Sequence, residues 1–393
     1  MICFLARFFI PNYYRYSDPK VRQGYGVLSG VMGVAFNVFL FLSKLFAGLI
    51  SGSISIINDA VNNHSDAASS VVTLVGFKLS GQEADEEHPF GHGRAEYIAG
   101  LIVSFLIILT GAELVQQSYV RIISPSKVEI STAIIVILVI SIVVKLIMFF
   151  ANMHVARLIR SATIKNTAID SISDVVTTSM VLISIIIEMM TGYNIDGYIG
   201  IVVALLIIKA GIDAARDTIN PLLGEPPSKE LIADIKITVL KHKEILGVHD
   251  IVVHNYGPSR IFMSLHVEVP ADRDLVTIHD IIDDIEEELH KKYHCTAVIH
   301  MDPVIQNNEA VAELKRKVMA IIEEIGPELD FHDFRIVHPE EADKKKKLSF
   351  DLQVPYGFRL SDDELIDYIS PRIREIEPGL KCDIKIDKNN EGE

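Results

Sequence analysis

The sequence predicts a membrane-embedded α-helical bundle of six transmembrane helices, followed by a duplicated cytoplasmic α+β domain of the ferredoxin-like class. Three observations support this prediction. Long apolar runs recur between residues 27 and 215, and the mean hydropathy is +0.31 although the formal net charge is −15. The charge is also unevenly distributed, with a net of −2 over residues 1–225 and −13 over residues 226–393. One chain therefore joins an apolar, nearly neutral part to a charged, acidic part.

This composition excludes several classes of protein. A net charge of −15 argues against a nucleic-acid partner, because nucleic-acid-binding domains carry basic surfaces. The cysteines are far apart and lack CxxC spacing, which excludes a disulfide scaffold and a cysteine metal site. They are predicted to be reduced thiols in a protein that faces the cytosol, and they lie at Cys3, Cys295 and Cys382.

The first predicted elements are the transmembrane helices. A bilayer core of ~30 Å requires about 20 mostly apolar helical residues. Five runs meet this requirement, at residues 27–50, 97–118, 132–152, 172–192 and 196–215. A sixth run, at residues 56–79, is more polar but lies between two spans, so we expect a helix that turns its polar face into the bundle.

The distribution of Lys and Arg between the loops predicts the orientation of the bundle. With the N-terminus inside, nine basic residues fall in cytoplasmic segments and two in external segments. The nine are Arg7, Arg15, Lys20, Arg22, Lys78, Arg94, Arg157, Arg160 and Lys165, and the two are Arg121 and Lys127. Six spans then place both termini in the cytoplasm, and we expect an integral protein of the inner or plasma membrane of the cell.

The acidic part is predicted to contain an internal repeat. From about residue 228 the pattern becomes helix, strand, strand, helix, strand, which suits a small open sheet with both helices on one face. The same order then recurs. The sequence VHD (248–250) is echoed by FHD (331–333), MSLHVEVP (263–270) by LSFDLQVP (348–355), and AVIHMD (297–302) by CDIKID (382–387). The spacing between the echoes is nearly constant, which indicates a duplication.

The two copies differ in chemistry. Asp351 replaces His266 and Lys385 replaces His300 in the second copy, so the first copy keeps most of the imidazoles that could bind a metal. For the second copy we expect additional dimer surface. The four predicted segments are a cytoplasmic N-terminal segment (1–25), the transmembrane domain (26–222), the first cytoplasmic copy (226–304) and the second copy (306–393).

Two pairs of polar residues are unexpected inside the predicted spans, because such groups are costly in a bilayer and usually functional. Asn62 and Asp66 are four residues apart, as are Asp170 and Asp174. On a helix with 3.6 residues per turn, each pair projects from one face, one turn apart. Two helices that present these faces to each other offer three carboxylates and one amide near the middle of the membrane.

Such a group of acids is suited to bind either a metal ion or protons. Carboxylates at one site repel each other and take up protons unless a cation lies between them. A divalent cation relieves the repulsion, and so do two or more protons, which provides a physical basis for metal–proton antiport. The alternative interpretation is a polar cluster that joins the helices by hydrogen bonds. Contacts of that kind rarely need three acids.

The segments around these residues resemble a known family. DAVNNHSDAASS and NTAIDSISDVVTTS, together with ADEEHPFGHGRAE between them, are similar to motifs of the cation diffusion facilitator transporters. The resemblance covers roughly residues 20–305. It implies a homodimeric transporter rather than an enzyme, in which Asn62, Asp66, Asp170 and Asp174 coordinate the transported ion. An Asn/Asp/Asp/Asp set without histidine further resembles the manganese-efflux branch, and oxygen ligands also suit Mn²⁺ better than Zn²⁺.

The resemblance also implies a second metal site in the loop between the second and third spans. Asp85, His88 and His92 lie three and four residues apart, and this spacing gives them a plausible common focus. The alternative interpretation is a cytoplasmic cap whose turn is fixed by the neighbouring proline and glycines.

A regulatory metal site in the first cytoplasmic copy is likewise implied by the resemblance, and this domain is expected to mediate the dimer. The candidate ligands are His249, Asp250, His266, His279, His300 and Asp302. Zinc could bind there even if manganese is the cargo, because imidazole is a softer ligand than carboxylate. The alternative is a set of solvent-exposed histidines on an acidic domain.

The leading functional hypothesis is a divalent metal exporter that exchanges cytoplasmic Mn²⁺ for protons, with no cofactor besides the transported ion. An exporter of Zn²⁺ or Fe²⁺ is the alternative within the family, and a membrane-tethered metal sensor is a remote one. An intramembrane aspartyl protease is disfavoured because the sequence lacks a GxGD segment. An ATP-driven pump is disfavoured because the sequence lacks a GxxxxGK[ST] loop.

Overall fold

The computed structural model divides the chain into two compact units. The first comprises Met1–Glu225 with His254–Ile261, and the second comprises Pro226–Val253 with Phe262–Glu393. The structure describes residues 2–16, 18–51, 54–124, 132–191, 195–258, 260–305, 309–337 and 346–389.

The described residues of the first unit form seven helices. They are α1 (Ile2–Phe9), α2 (Pro19–Ser51), α3 (Ile54–Ser80), α4 (Ala95–Ile123), α5 (Thr132–Leu158), α6 (Ala162–Thr191) and α7 (Asp196–Leu223). Pro19 opens α2, a position where the missing N–H of proline has no intrahelical partner to lose. Helix α7 ends where Gly224 takes the left-handed conformation, with φ = 100°.

Four of the described helices are long and apolar enough to cross a membrane, namely α2, α4, α5 and α7. Helices α3 and α6 are of similar length, with 27 and 30 residues. Most of the span predicted at residues 172–192 lies in the C-terminal part of α6. The helix begins well before that span because the Oγ atom of Ser161 accepts a hydrogen bond from the N–H of Ile164 as an N-cap. The earlier start adds the polar residues Lys165 and Asp170 to the helix.

The N-terminal segment contains a helix that the sequence analysis did not predict. Ile2, Ala6 and Ile10 are buried in a cluster formed with residues of α2 and α5. Their spacing of four residues gives α1 one apolar face.

A buried ion pair connects α2 and α4. The guanidinium of Arg22 binds the carboxylate of Glu96 through both terminal nitrogens, and its Nε atom donates to the carbonyl oxygen of Ile159. Ser161 donates to the same carboxylate at 2.7 Å. This network joins the N-terminal parts of α2 and α4 to the residues that precede α6, the helix that carries two of the candidate ligands.

The second unit contains the order helix, strand, strand, helix, strand twice. The first module consists of α8 (Lys229–Val239), β1 (Gly247–Asn255), β2 (Ile261–Pro270), α9 (Leu275–Tyr293) and β3 (Cys295–Val304). The second module consists of α10 (Glu309–Ile325), β4 (Asp330–Val337), β5 (Lys347–Pro355), α11 (Asp362–Ile376) and β6 (Lys381–Asn389). The strand orders are β1-β2-β3 and β4-β5-β6. Strand β4 is antiparallel to β5, and β6 is parallel to it.

Each sheet of the second unit buries one face. In β5, alternate residues from Leu348 to Val354 are buried against α10 and α11, which therefore cover the same face of the sheet. The other face carries polar residues, among them Asp351. In β2 the alternation is equivalent, because Leu265 and Val267 are buried and His266 between them points to the opposite face.

The turn between β1 and β2 belongs to the first compact unit. Its Tyr256 ring stacks on Phe90 with ring centroids 4.5 Å apart. The guanidinium of Arg94 lies over the same ring and donates to the carbonyl oxygen of Asn255 at 3.1 Å. These aromatic and charged contacts attach the turn to the loop between α3 and α4.

Candidate metal sites

Three of the four predicted intramembrane ligands lie together. Asp66 of α3 and Asp170 and Asp174 of α6 each place a carboxylate oxygen within 4.8 Å of the others. We call these residues the acidic triad. The side chain of the fourth predicted ligand, Asn62, lies outside the described residues, although its backbone belongs to α3.

Polar contacts hold α3 and α6 in this arrangement. The hydroxyls of Thr73 and Thr167 lie 3.1 Å apart and join the two helices. Asn37 of α2 donates to the carbonyl oxygen of Asp66 at 3.2 Å and to the hydroxyl of Ser70 at 3.1 Å. The triad therefore rests on helices that buried hydrogen bonds keep in register.

Lys145 of α5 contacts the triad directly, and the sequence analysis did not find this contact. Its Nζ atom lies 2.7 Å from Asp66 and 2.5 Å from Asp174, and only 4% of its side chain is exposed. Helical spacing groups residues only within one helix, so it could not link α5 to the triad. The available signal was a lone lysine in an otherwise apolar span, because a buried ammonium requires a counter-charge.

The charges of this site suggest what it can bind. Three ionised carboxylates and one ammonium leave a net charge of −2, which one divalent cation or two protons would neutralise. The donor atoms of the triad are all oxygens. Oxygen donors favour hard cations, whereas imidazole and thiolate favour softer ones.

The loop between α3 and α4 brings its three predicted ligands together. Asp85 lies 3.5 Å from a ring nitrogen of His88 and 3.5 Å from a ring nitrogen of His92. The backbone N–H of His88 donates to Asp85 Oδ1 at 2.7 Å, which lowers the pKa of the carboxyl. The loop thus presents an ionised carboxylate between two imidazoles, an arrangement that could hold a metal ion on an exposed surface.

In the first module, predicted ligands gather around Asp302. Oδ2 of Asp302 lies 3.3 Å from Nε2 of His249 and 3.0 Å from Nδ1 of His266. Oδ1 of Asp302 lies 3.4 Å from Nε2 of the more exposed His300. We call His249, His266 and Asp302 the first-module group. Burial alone would lower the pKa of His249, but the neighbouring carboxylates of Asp250 and Asp302 outweigh it and raise the pKa to about 9.

His279 is not brought to the other predicted ligands. Helix α9 buries Ile278, Ile282 and Ile285 against its sheet, so the neighbouring His279 points about 100° away from that face. It is exposed, and it lies 3.6 Å from Asp283 on the next turn of the same helix. Its predicted place in the metal site therefore has no support from the geometry.

Comparison with known proteins identifies two family domains in the chain. Residues 31–223 match the cation efflux transmembrane domain, and residues 227–304 match the cytoplasmic domain of cation efflux proteins. Both matches lie in segments that the sequence predicts to be distinct domains. The first match, together with the four apolar helices, makes the chain an integral membrane protein.

Several relatives are similar over most of their length. An uncharacterized transporter of Methanocaldococcus jannaschii is 30% identical over 70% of this chain and 97% of its own length. The cation-efflux pump FieF of Klebsiella pneumoniae is 27% identical over 72% of this chain and 95% of its own. The manganese efflux system protein MneS of Bacillus subtilis is 28% identical over 74% of this chain and 99% of its own length. The chain therefore belongs to the cation diffusion facilitator family of cation efflux proteins, whose members are divalent cation transporters rather than enzymes.

Proposed function

We propose that this transporter exports Mn²⁺ from the cytoplasm in exchange for protons, and that Asn62, Asp66, Asp170 and Asp174 form its transport site. The observation that carries the proposal is the acidic triad, whose carboxylates converge from two helices to within 4.8 Å. An all-oxygen site suits a hard ion such as Mn²⁺, whereas Zn²⁺ gains from imidazole. Mg²⁺ also prefers oxygen but gives up its bound water reluctantly.

The position of His64 supports an all-oxygen site. This histidine lies between Asn62 and Asp66 in the sequence, and it is exposed on α3. Its ring packs against Phe41, with ring centroids 5.5 Å apart. It therefore contributes no imidazole to the triad.

Proton coupling follows from the charge of the site. Exchange of one Mn²⁺ for two protons would leave the net charge around Lys145 unchanged, so neither state of the site would leave uncompensated charge in a low dielectric. Alternating access would expose the site to each side of the membrane in turn. Protons taken up outside would displace the ion, and loss of protons inside would restore the empty site.

Six transmembrane spans are part of the proposal. Several exposed positions of the two polar helices are apolar, among them Val71 and Val75 of α3 and Ile183 and Ile186 of α6. These apolar outer positions suit contact with lipid. With six spans, the excess of basic residues in alternate loops supports a cytoplasmic location of both termini.

The cytoplasmic part is proposed to mediate a homodimer and to consist of two copies of one module. The matched family domain supports the first statement for residues 227–304. Support for the second comes from the element order, which is the same in the two modules. It also comes from the three repeated sequence segments, whose spacing between the copies is nearly constant.

Two alternatives remain testable. An exporter of Zn²⁺ or Fe²⁺ is favoured by the first-module group, because its imidazoles suit those ions better than the triad does. A membrane-tethered metal sensor would use that group alone, and it would not need the triad for metal tolerance of the cell.

Replacement of Lys145 by methionine is expected to raise the affinity for Mn²⁺ about tenfold, equivalent to ~1.4 kcal/mol. The ammonium occupies oxygens of Asp66 and Asp174, so it must withdraw before a metal ion can bind both. The variant is also expected to release Mn²⁺ more slowly and to transport it at a lower maximal rate. Titration of the metal-free protein with Mn²⁺ at mildly alkaline pH, followed by calorimetry, measures the affinity.

Lys165→Met is the matched control for this experiment, because Lys165 is half-exposed and pairs with Asp217 instead. Its affinity should equal that of the wild type. An unchanged or weaker affinity in Lys145→Met would contradict the competition between lysine and metal.

The experiment that tests the proposed function as a whole is Mn²⁺ uptake by purified protein in liposomes under an imposed pH gradient. Zn²⁺ and Fe²⁺ are offered separately in parallel. Transport of Zn²⁺ without transport of Mn²⁺ would show that the proposed cargo is wrong.

A further inference from the structure

The second module carries a polar cluster on the face of its sheet that the helices do not cover. His332 of β4 pairs in register with Asp351 of β5, and Asp351 pairs with Lys385 of β6. The Nζ atom of Lys385 lies 2.7 Å from Asp351 and 3.4 Å from Asp387. Nε2 of His332 lies 3.7 Å from Asp387. Two carboxylates and one imidazole thus share one side of this sheet.

The first module completes the cluster. Oδ2 of Asp250 lies 3.2 Å from Nε2 of His332. The rings of His249 and His332 face each other with centroids 4.1 Å apart and planes inclined by 32°. Asp250 adopts a left-handed backbone conformation with φ = 49°, as does Asp333 at the equivalent position with φ = 51°. One ligand atom from each of Asp250, His332, Asp351 and Asp387 lies within 4.8 Å of the others. We call these four residues the inter-module group.

His332 of this group and the neighbouring His249 of the first module are buried, and both have ring nitrogens without a hydrogen-bond partner in the described part of the chain. His249 is 8% exposed and His332 is 7% exposed. Among the residues that the structure describes, neither ring nitrogen of His249 has a hydrogen-bond partner, and Nδ1 of His332 has none either. Carboxylates of Asp250 and Asp302 approach His249 to 3.5 Å and 3.3 Å, but without the geometry of a full hydrogen bond. Buried polar atoms without a partner are rare in folded proteins, and a bound ion is one way to satisfy them.

The inter-module group corresponds to the first-module group by position in the repeat. The echoed segments align His332 with His249, Asp351 with His266 and Asp387 with Asp302. The second module therefore keeps a ligand at each of these positions, but with carboxylate in place of one imidazole. Asp250 adds a further oxygen from the other module.

We propose that Asp250, His332, Asp351 and Asp387 bind a divalent cation between the two cytoplasmic modules of one chain. Three carboxylates and one imidazole form an oxygen-rich donor set, which suits a hard ion such as Mn²⁺, whereas the first-module group suits the softer Zn²⁺. The bound ion would tie the modules together across β1 and β4. The proposal concerns binding alone and does not depend on which ion crosses the membrane.

In the metal-free protein, the ammonium group of Lys385 supplies the positive charge that the carboxylates of this group require. Its ammonium contacts Asp351 and Asp387, and its side chain is 67% exposed. It can therefore swing into solvent when a metal ion binds, at little cost in desolvation. The second module thus serves as the other half of a metal site, in addition to any dimer surface that it offers.

A count of bound Mn²⁺ tests the proposal. The full-length protein is purified in detergent, stripped of metal and titrated with Mn²⁺, and free Mn²⁺ is followed by its electron paramagnetic resonance signal. The substitutions Asp170→Asn and Asp174→Asn are present throughout, so that ions at the membrane site do not enter the count. Adding Asp351→Asn and Asp387→Asn is expected to remove one tightly bound Mn²⁺ per chain.

Asp383→Asn is the matched control, because Asp383 lies on the same strand as Asp387 but pairs with Lys347. The Asp383→Asn variant should bind as many Mn²⁺ ions per chain as the parent protein. His332 is buried, so the test relies on the two half-buried aspartates, and thermal unfolding of the metal-free proteins verifies that the variants remain folded. An unchanged count in the folded double variant would overturn the proposal.

A second variant tests the composition of the site without removing it. Asp351→His gives the second module the His, His, Asp set of the first-module group. Zn²⁺ is then expected to displace Mn²⁺ from this position at least tenfold more effectively than in the parent protein. An unchanged ratio of Zn²⁺ to Mn²⁺ affinity would mean that residue 351 is not a ligand.

Discussion

Asp174→Asn should lower the initial rate of Mn²⁺ transport at least 100-fold while leaving the protein folded. The substitution removes one of three converging carboxylates and breaks the contact with Lys145. Loss of one partner from a buried charge pair costs about 2–5 kcal/mol, and 100-fold corresponds to ~2.7 kcal/mol. The rate is measured as uptake of radioactive Mn²⁺ by proteoliposomes containing equal amounts of each protein.

The matched control for this variant is Asp213→Asn, because Asp213 is an exposed residue of α7 that lies 4.0 Å from Arg216. It should transport at the wild-type rate. Both variants should still bind metal in the cytoplasmic modules, and the two should unfold at similar temperatures. A rate for Asp174→Asn above one tenth of the wild-type rate would rule out Asp174 as an essential ligand, and full metal tolerance of cells that carry it would favour the sensor hypothesis.

Asp170→His is expected to invert the selectivity for metal ions. The imidazole replaces a hard oxygen donor by a nitrogen donor that Zn²⁺ prefers. Manganese transport should fall at least tenfold and zinc transport should rise, so that the ratio of the two changes by about 100-fold, or ~2.7 kcal/mol. Initial rates at several concentrations of each ion give kcat/KM for the comparison.

Val176→His provides a control on the same helix, because Val176 is exposed and points away from the triad. An imidazole at that position should leave the ratio of manganese to zinc transport unchanged. If Asp170→His keeps the wild-type ratio, the donor set of the triad does not determine the cargo, and the proposed preference for Mn²⁺ loses its basis.

The features that sequence analysis could predict depend on regular spacing along one element. Residues four apart share a helical face, and this rule alone grouped Asp170 with Asp174. Alternating apolar residues identified strands such as β5, and echoed segments at a nearly constant spacing indicated two modules. In each case the pattern is local, so the chain itself records it.

The features that sequence analysis missed depend on contacts between elements. Lys145 reaches the triad from a third helix, and no spacing within α5 specifies that distance. His332 of β4 meets Asp250 of β1 through a contact between the two modules, which no spacing within either strand specifies. His279 was grouped with ligands from which the packing of α9 separates it. Residue type alone indicated that these groups could bind metal, and tertiary packing decided which of them do come together.

The most direct test of the account is simultaneous measurement of Mn²⁺ and protons in proteoliposomes with an acidic lumen. We expect Mn²⁺ to accumulate inside against its own gradient while a trapped pH indicator reports alkalinisation of the lumen. Both signals should vanish in Asp174→Asn and when an ionophore collapses the pH gradient. Mn²⁺ uptake that does not depend on the pH gradient would contradict manganese–proton antiport. Accumulation of Zn²⁺ but not of Mn²⁺ would contradict it as well.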